Sequence, residues 1–245
     1  MRTFGIERER FIVNAQGVVV PEIGRLLPAV QQLACEQGVS ESLFSYELFA
    51  GQIEDRTPPC SSLEEIRAAL LQNERVLQEA AGNLGLGFNH SEFVEANLVD
   101  VFEVNPFDER HRQIWASIPN ERRIAASVVA AIHVHISVTG KEAVKILNLC
   151  RSDVINRLIS LGDHSNLRRI NAYRTMAETD GVPPMFASFS EVKAYIGSKG
   201  GEKDVWDLVR YKPSTKTVEF RMFGATPCVE EILGFVIACQ EASKV

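Results

Sequence analysis

Three short runs, far apart in the chain, set ionisable side chains in alternation with apolar ones: Phe4-Gly5-Ile6-Glu7-Arg8-Glu9-Arg10-Phe11, Ile132-His133-Val134-His135-Ile136 and Val218-Glu219-Phe220-Arg221-Met222-Phe223. In extended chain, side chains two apart share a face. Glu7 therefore points with Glu9, His133 with His135, and Glu219 with Arg221, while the opposite faces read as mostly apolar. A charge buried without a partner is costly. A sheet surface carrying several such pairs makes sense when cations and phosphates sit on it, so the three runs predict a β-sheet with one face given over to a metal nucleotide.

Bulk properties frame this reading without naming a chemistry. With 245 residues, 45% of them hydrophobic and 24% charged, the chain has the make-up of an ordinary globular protein. No repeat, low-complexity tract or linker divides it, so residues 1–245 read as one catalytic domain. A formal net charge of -6 without any basic tract offers no means of neutralising a nucleic-acid backbone, so nucleic acid is not an expected partner. Cys35, Cys60, Cys150, Cys228 and Cys239 show no CxxC spacing and read as the reduced thiols of a cytoplasmic protein. The first ten residues are charged, and no stretch approaches roughly 20 uninterrupted apolar residues. Neither secretion nor a membrane is expected.

Residues 3–14 predict a strand, with Asn14-Ala15-Gln16-Gly17 turning it into a hairpin arm at Val18 to Val20. Leu26 to Gln37 reads as a helix, and Phe44 to Arg56 as a strand stopped by Thr57-Pro58-Pro59. Ser62 and Glu65 have capping-box spacing ahead of the stripe Leu63, Ile66, Leu70 and Leu77, which marks a helix leaving at Gly82. Gly85 to Asn120 reads as loop with short helical pieces. Lys141 to Leu161 reads as one long amphipathic helix. Asp163 to Pro184, with Arg168, Arg169, Arg174 and then Gly181-Val182-Pro183-Pro184, has the composition of a mobile, positively charged loop able to close over an anion. Strands follow at Val205 to Arg210 and Thr217 to Phe223, around a turn at Lys212-Pro213-Ser214, and a helix runs from Val229 to Val245. Strands and helices do not alternate regularly, so the class is α+β with an antiparallel sheet.

Taken in order, the Phe4–Glu9 run, Glu54-Asp55-Arg56-Thr57-Pro58-Pro59, Ile132-His133-Val134-His135, Val205-Trp206-Asp207 and Val218-Glu219-Phe220-Arg221 resemble the successive signatures of the glutamate-cysteine ligase type 2, or carboxylate-amine ligase, family. The resemblance covers most of the chain. It implies a glutamine synthetase-like fold, a curved antiparallel sheet forming a funnel with helices on its outer face, and the ATP-dependent joining of a small carboxylate to an amine. It further implies Glu7, Glu9, Glu47, Glu54, His133 and Glu219 as ligands of the magnesium ions that carry the nucleotide. Arg221 would reach the transferred phosphoryl group, with Glu54 beside it in catalysis and Glu219 and His135 beside it on the nucleotide. Longer relatives continue well past the Glu-x-Arg strand, so a short form of the catalytic domain is expected. Gly85-Leu86-Gly87-Phe88-Asn89-His90 stands where relatives often carry a Gly-Thr-His-Pro type turn, which leaves open which carboxylate and amine are joined.

Residue chemistry bears on the same points. Magnesium prefers carboxylate oxygen, keeps waters and is commonly shared with phosphates, whereas an imidazole such as His133 suits manganese as well; the metal stays open between the two. Arg221 can hold phosphate with its planar fork. Glu47 and Glu54 are seven apart, so a regular strand would put them on opposite faces unless Gly51 marks a bulge. Arg168, Arg169 and Arg174 stand equally as substrate ligands and as ordinary solvated charges. Two rival functions use the same residues: a metal-dependent hydrolase that activates water, and a degenerate homologue that binds nucleotide without chemistry. Glu7, Glu54, His133, Glu219 and Arg221 are all present, which speaks against the second. The edges of an open sheet make a homo-oligomer an expectation.

Overall fold

Residues 2–244 are described by the computed structural model; Met1 and Val245, the latter assigned above to the last helix, lie outside the described residues. The seven strands are β1 (Phe4–Val13), β2 (Phe44–Tyr46), β3 (Gln52–Arg56), β4 (Gly87–Asn89), β5 (Ala131–Ser137), β6 (Val209–Lys212) and β7 (Thr217–Gly224). They form one open sheet in the order β2-β3-β1-β5-β7-β6, with β4 added to β1 and every pairing antiparallel. The nine α-helices are α1 (Ile23–Glu36), α2 (Leu63–Asn83), α3 (Glu109–Ser117), α4 (Asn120–Ser127), α5 (Gly140–Leu149), α6 (Ser152–Gly162), α7 (Arg168–Ala177), α8 (Phe189–Ser198) and α9 (Val229–Ala242). The α+β expectation holds.

The apolar half of each alternating run builds the main core. Ile6, Ile132, Val134, Ile136, Val218 and Phe220 pack against Ile146 of α5, Ile155 and Leu158 of α6 and Val236 of α9. Phe223 stacks on Phe235 of α9 with centroids 4.4 Å apart. Each such side chain contributes ~1.5–3 kcal/mol on burial, so the helices fix which face of the sheet remains for chemistry. At the start of α2 the Ser62 hydroxyl accepts from the Glu65 N–H, while the Glu65 carboxylate reaches back to the Ser61 N–H at 2.6 Å. Thr139 and Glu142 form a complete capping box on α5.

Several local expectations are corrected. Phe44 to Arg56 is a hairpin, with Ser45 paired to Glu54, so the chain reverses between Glu47 and Glu54 and the parity conflict disappears. Gly51 sits in that reversal, where an added Cβ would come within 2.4 Å of the Phe49 ring. The hairpin arm at Val18 to Val20 shrinks to single bridges from Val19 to Val13 and Val99. The long helix breaks at Cys150-Arg151, where Arg151 is extended (φ −89°, ψ −179°) and donates to the Pro183 carbonyl. Ile146 on the first half and Ile155 on the second are both buried. Val205 to Leu208 precede the β6 strand; the Val205 carbonyl accepts instead from Arg210 Nη1 at 2.7 Å.

The loop expected from Asp163 to Pro184 contains α7, packed on the sheet through Ile170 and Tyr173. Its spacing, Ile170-Tyr173-Ala177, is a helical stripe that the basic composition obscures. The opposite face of β1 is also not mostly apolar: between Ile6 and Ile12 it carries Arg8 and Arg10, 2% and 0% exposed, both bonded to fully buried Asp55 of β3.

Candidate active site

The face of the sheet away from α5, α6 and α9 gathers charged side chains from five strands. Register sets Glu9 opposite Glu54, Glu7 between Arg56 and His133, His135 opposite Glu219, and Glu219 opposite Arg210. Glu47, just after β2, joins them: donor atoms of Glu9, Glu47 and Glu54 all lie within 4.8 Å of one another. The same is true of Glu7, Glu54 and His133, and of Glu7, His135 and Glu219. All six expected metal ligands and His135 therefore share one wall. Glu7, Glu9, Glu47, Glu54 and His133 border a cavity of about 380 Å³ whose other walls include Tyr46, Arg110, Lys203, Trp206 and Lys212.

Charge is unevenly compensated along this wall. Fully buried Glu219 accepts from Arg210 at 2.7 and 3.2 Å and from Arg221 Nη1 at 2.5 Å, and against the penalty of burial these guanidinium groups hold it well below the ordinary carboxylate range. Glu7 is likewise held low, the imidazoles of His135 and His133 outweighing its burial. The acids on β2–β3 and at Glu9 behave oppositely. Burial and then the Glu54 charge push Glu9 up to about 8, although it accepts from the Ala131 N–H at 2.8 Å. Burial and Glu9 push Glu47 up to about 7. Burial and the charges of Glu7 and Glu47 raise Glu54 well above its usual range despite Arg56 at 2.5 Å. Like charges crowded in a desolvated site produce this pattern, and cations relieve it.

Nitrogen donors complete the set. Burial, then Arg221, lowers His133 to about 4, so it is neutral at pH 7. With Nδ1 3.2 Å from Glu7 Oε2, the ring donates there, which leaves the Nε2 lone pair 3.6 Å from Glu9 Oε1. His135 Nε2 is buried with no hydrogen bond, 3.3 Å from Glu7 Oε1. These unsatisfied atoms and the hard oxygen set fit divalent cations of the magnesium or manganese type. Arg221 commits Nη1 to Glu219, and its buried Nε has no partner.

The three loop arginines are not brought to one place. Arg168 pairs with Glu95 at 2.5 Å and lies over the Phe93 ring, Arg174 donates to the Asp180 carbonyl, and Arg169 is buried beside a small cavity that Glu9, Glu47, His133 and Arg221 also line, with Nη2 on the carbonyls of Arg221 and Phe223. Five site cations went unread in the sequence: Arg56, Arg110, Lys203, Arg210 and Lys212, the last 3.3 Å from Glu7 Oε1. Arg210 and Lys212 alternate with Val209 and Tyr211 directly before the turn at Lys212-Pro213-Ser214, a signal of the same kind as the other three runs. A second cavity of about 360 Å³ adjoins the wall at Glu7, Arg56, His135 and Lys212 and is lined by Gly5, Ser214 and Thr215 among others. A third cavity, of about 490 Å³ around Glu92 and Arg168, is lined by none of the expected metal ligands.

Comparison with known proteins identifies the family and the fold. Residues 3–154 match the model of glutamate-cysteine ligase family 2. The chain is 27% identical over 260 residues to the "Putative glutamate–cysteine ligase 2" of Rhodopirellula baltica, covering 96% of this chain and 66% of that protein. It is 27% identical over 249 residues to the "Putative glutamate–cysteine ligase 2-1" of Rubrobacter xylanophilus, covering 90% and 60%. It thus spans somewhat under two thirds of the curated relatives' length. Among solved structures, a bifunctional glutathione synthetase from Pasteurella multocida superposes with a TM-score of 0.62 at 17% identity, over 99% of this chain and 39% of that one. Plasmodium falciparum glutamine synthetase does so at 0.54 and 10% identity, over 99% and 51%. The fold is that of these proteins.

Proposed function

Because the chain belongs to glutamate-cysteine ligase family 2, we propose that it is an ATP-dependent carboxylate–amine ligase working through an acyl phosphate. The observation that carries this reading is the single wall on which Glu7, Glu9, Glu47, Glu54, Glu219 and His133 approach one another in overlapping sets of three. In the proposed reaction a substrate carboxylate oxygen attacks the γ-phosphorus of ATP and ADP leaves; the amine nitrogen then attacks the acyl carbon, phosphate departs, and the nitrogen gives up its proton. Those six residues would hold magnesium or manganese, which would supply neutralisation of the charge on the phosphates.

The chain's own residues supply position and field. Arg221 has an unpartnered Nε beside the acid wall and is assigned to the equatorial oxygens of the transferred phosphoryl group, where a fixed guanidinium acts without reorganisation. Glu219 holds Arg221 and Arg210 together in a buried ion cluster. Lys212 and Arg56 stand between the two cavities, suited to a polyphosphate passing from one to the other. His133 keeps one lone pair available by donating its other nitrogen to Glu7.

The test is ADP release from Mg-ATP with amino acids and amines offered singly and in pairs. Release that requires one carboxylate and one amine is expected. Turnover without nucleotide would replace the ligase by a hydrolase, and tight ATP binding without release would make the protein a nucleotide binder.

A further inference from the structure

The most unusual backbone feature near the proposed site is a bulge in β7. Phe220 pairs with Val134 but Phe223 pairs with Ile132, so three residue steps on β7 face two on β5. A bulge leaves ladder groups unpaired and re-aims the side chain it carries. Here it lets Arg221 face the acid wall while Met222 and Phe223 both enter the core.

The groups freed by the bulge are not left to chance. Arg169, 3% exposed on α7, donates Nη2 to the carbonyl of Arg221 at 3.0 Å and to that of Phe223 at 2.8 Å, one on each side of the extra residue. The Arg221 N–H is fixed from the other side by the Leu208 carbonyl at 2.8 Å. One turn further along α7, Tyr173 lies 6.0 Å beneath the Arg221 guanidinium and donates its hydroxyl to the Trp206 carbonyl at 2.8 Å. Burial lowers Arg169 from its ordinary value, opposed by the charges of Glu92 and then Glu9. Glu92 is buried without a hydrogen bond and sits so close over Gly224 that a Cβ there would meet it at 1.6 Å.

From this geometry we infer that Arg169 is a positioning residue: a clamp on the β7 bulge that fixes the direction of the Arg221 guanidinium. The functional half of this inference rests on the proposed role of Arg221 at phosphate, whereas the structural half does not. A guanidinium is suited to the task because one planar group can serve two divergent carbonyls; a lysine ammonium in the same place keeps the charge without that fork.

Two measurements separate the halves. In uniformly ¹⁵N-labelled, metal-free protein, the Arg221 Nε–H resonance of the wild type is expected as a single sharp signal that splits or broadens in Arg169→Ala and in Arg169→Lys. Millimolar guanidinium chloride is expected to restore it in Arg169→Ala but not in Arg169→Lys, whose side chain fills the space. Mg-ATP binding by calorimetry is expected to weaken about tenfold in either variant, and Arg169→Ala should add little once Arg221→Ala is present, since residues in one network are not additive. An unchanged Arg221 signal in folded Arg169→Lys overturns the clamp. A changed signal with no ATP binding in the wild type keeps the clamp and removes the ligase reading. Should Arg169→Ala fail to fold, Arg169→Lys alone decides.

Discussion

On β1, Glu7 and Glu9 face the proposed site while Arg8 and Arg10 face α2, and the two sets of charges meet opposite conditions a few ångströms apart. Behind the strand, Asp55 accepts four hydrogen bonds, two from Arg8 at 3.0 Å, one from Arg10 at 2.5 Å and one from Asn73 at 3.0 Å. Glu74 takes Arg10 at 2.8 Å and Arg8 at 3.2 Å, and Arg10 lies over the Phe88 ring. Despite burial, Arg8 and Arg10 hold Asp55 below its ordinary value. In front, burial first and then mutual repulsion push Glu9, Glu47 and Glu54 up against the attraction of Arg56 and Arg221. Buried charge completed by protein is architecture; buried charge left short of cations is a binding site.

The sharpest way to break that contrast is to remove one acid from each face. Asp55→Ala leaves two buried guanidinium groups facing each other and is expected to lose ~3–5 kcal/mol in urea unfolding. A loss below ~1 kcal/mol would mean that the back network is not structural. Glu9→Gln replaces a carboxyl that keeps its proton up to about pH 8 by a neutral group of the same size, and is expected to leave the metal-free melting temperature equal at pH 7 and higher above pH 8. ADP release should nevertheless fall on the order of a hundredfold or more. If Glu9→Gln also unfolds the protein, the two faces do not differ in kind.

A smaller effect separates the faces by pH. For Glu9 the folded protein holds its proton up to about 8 against an ordinary 4.5, so between those values the folded state binds more protons than the unfolded one. Stability of the metal-free fold should therefore fall as pH rises through this window. Magnesium should reverse the trend, and its binding near pH 7 should release protons, read as a dependence of calorimetric heat on buffer ionisation enthalpy. Heats independent of buffer would show that the acids are already ionised and the repulsion relieved by protein.

The front face was legible in the sequence because alternation of apolar and ionisable residues is a local signal, and it survives in β1, β5 and β7. Glu47 was legible only through resemblance, since its approach to Glu54 depends on a reversal at Leu48 to Gly51 that a seven-residue spacing argues against. The back face was hidden for a different reason. Arg8 and Arg10 look like solvated charges until Asp55, 47 residues away, and Glu74, 66 residues from Arg8, fold onto them. The same holds for α7: Arg169 reads as a loop cation, and only the tertiary placement of the β7 bulge gives its guanidinium two carbonyls to hold.

The mildest consequence concerns His90, which stands behind the sheet beside the arginine pair. Burial first, and then the charge of Arg10, lower it to about 4 from an ordinary 6.5. Here the sign is the reverse of Glu9: between those values the unfolded chain binds the extra proton, so this histidine makes the fold gain stability as pH rises from about 4 to 6.5 and contributes nothing above. Titrated by NMR, its ring signals should stay those of the neutral imidazole down to pH 5, with or without magnesium, since no cation site adjoins it. His133, lowered to the same value on the front face, should instead shift when magnesium is added at constant pH. A His90 signal that answers to magnesium, or a His133 signal that ignores it, would erase the distinction between the structural face of β1 and the reactive one.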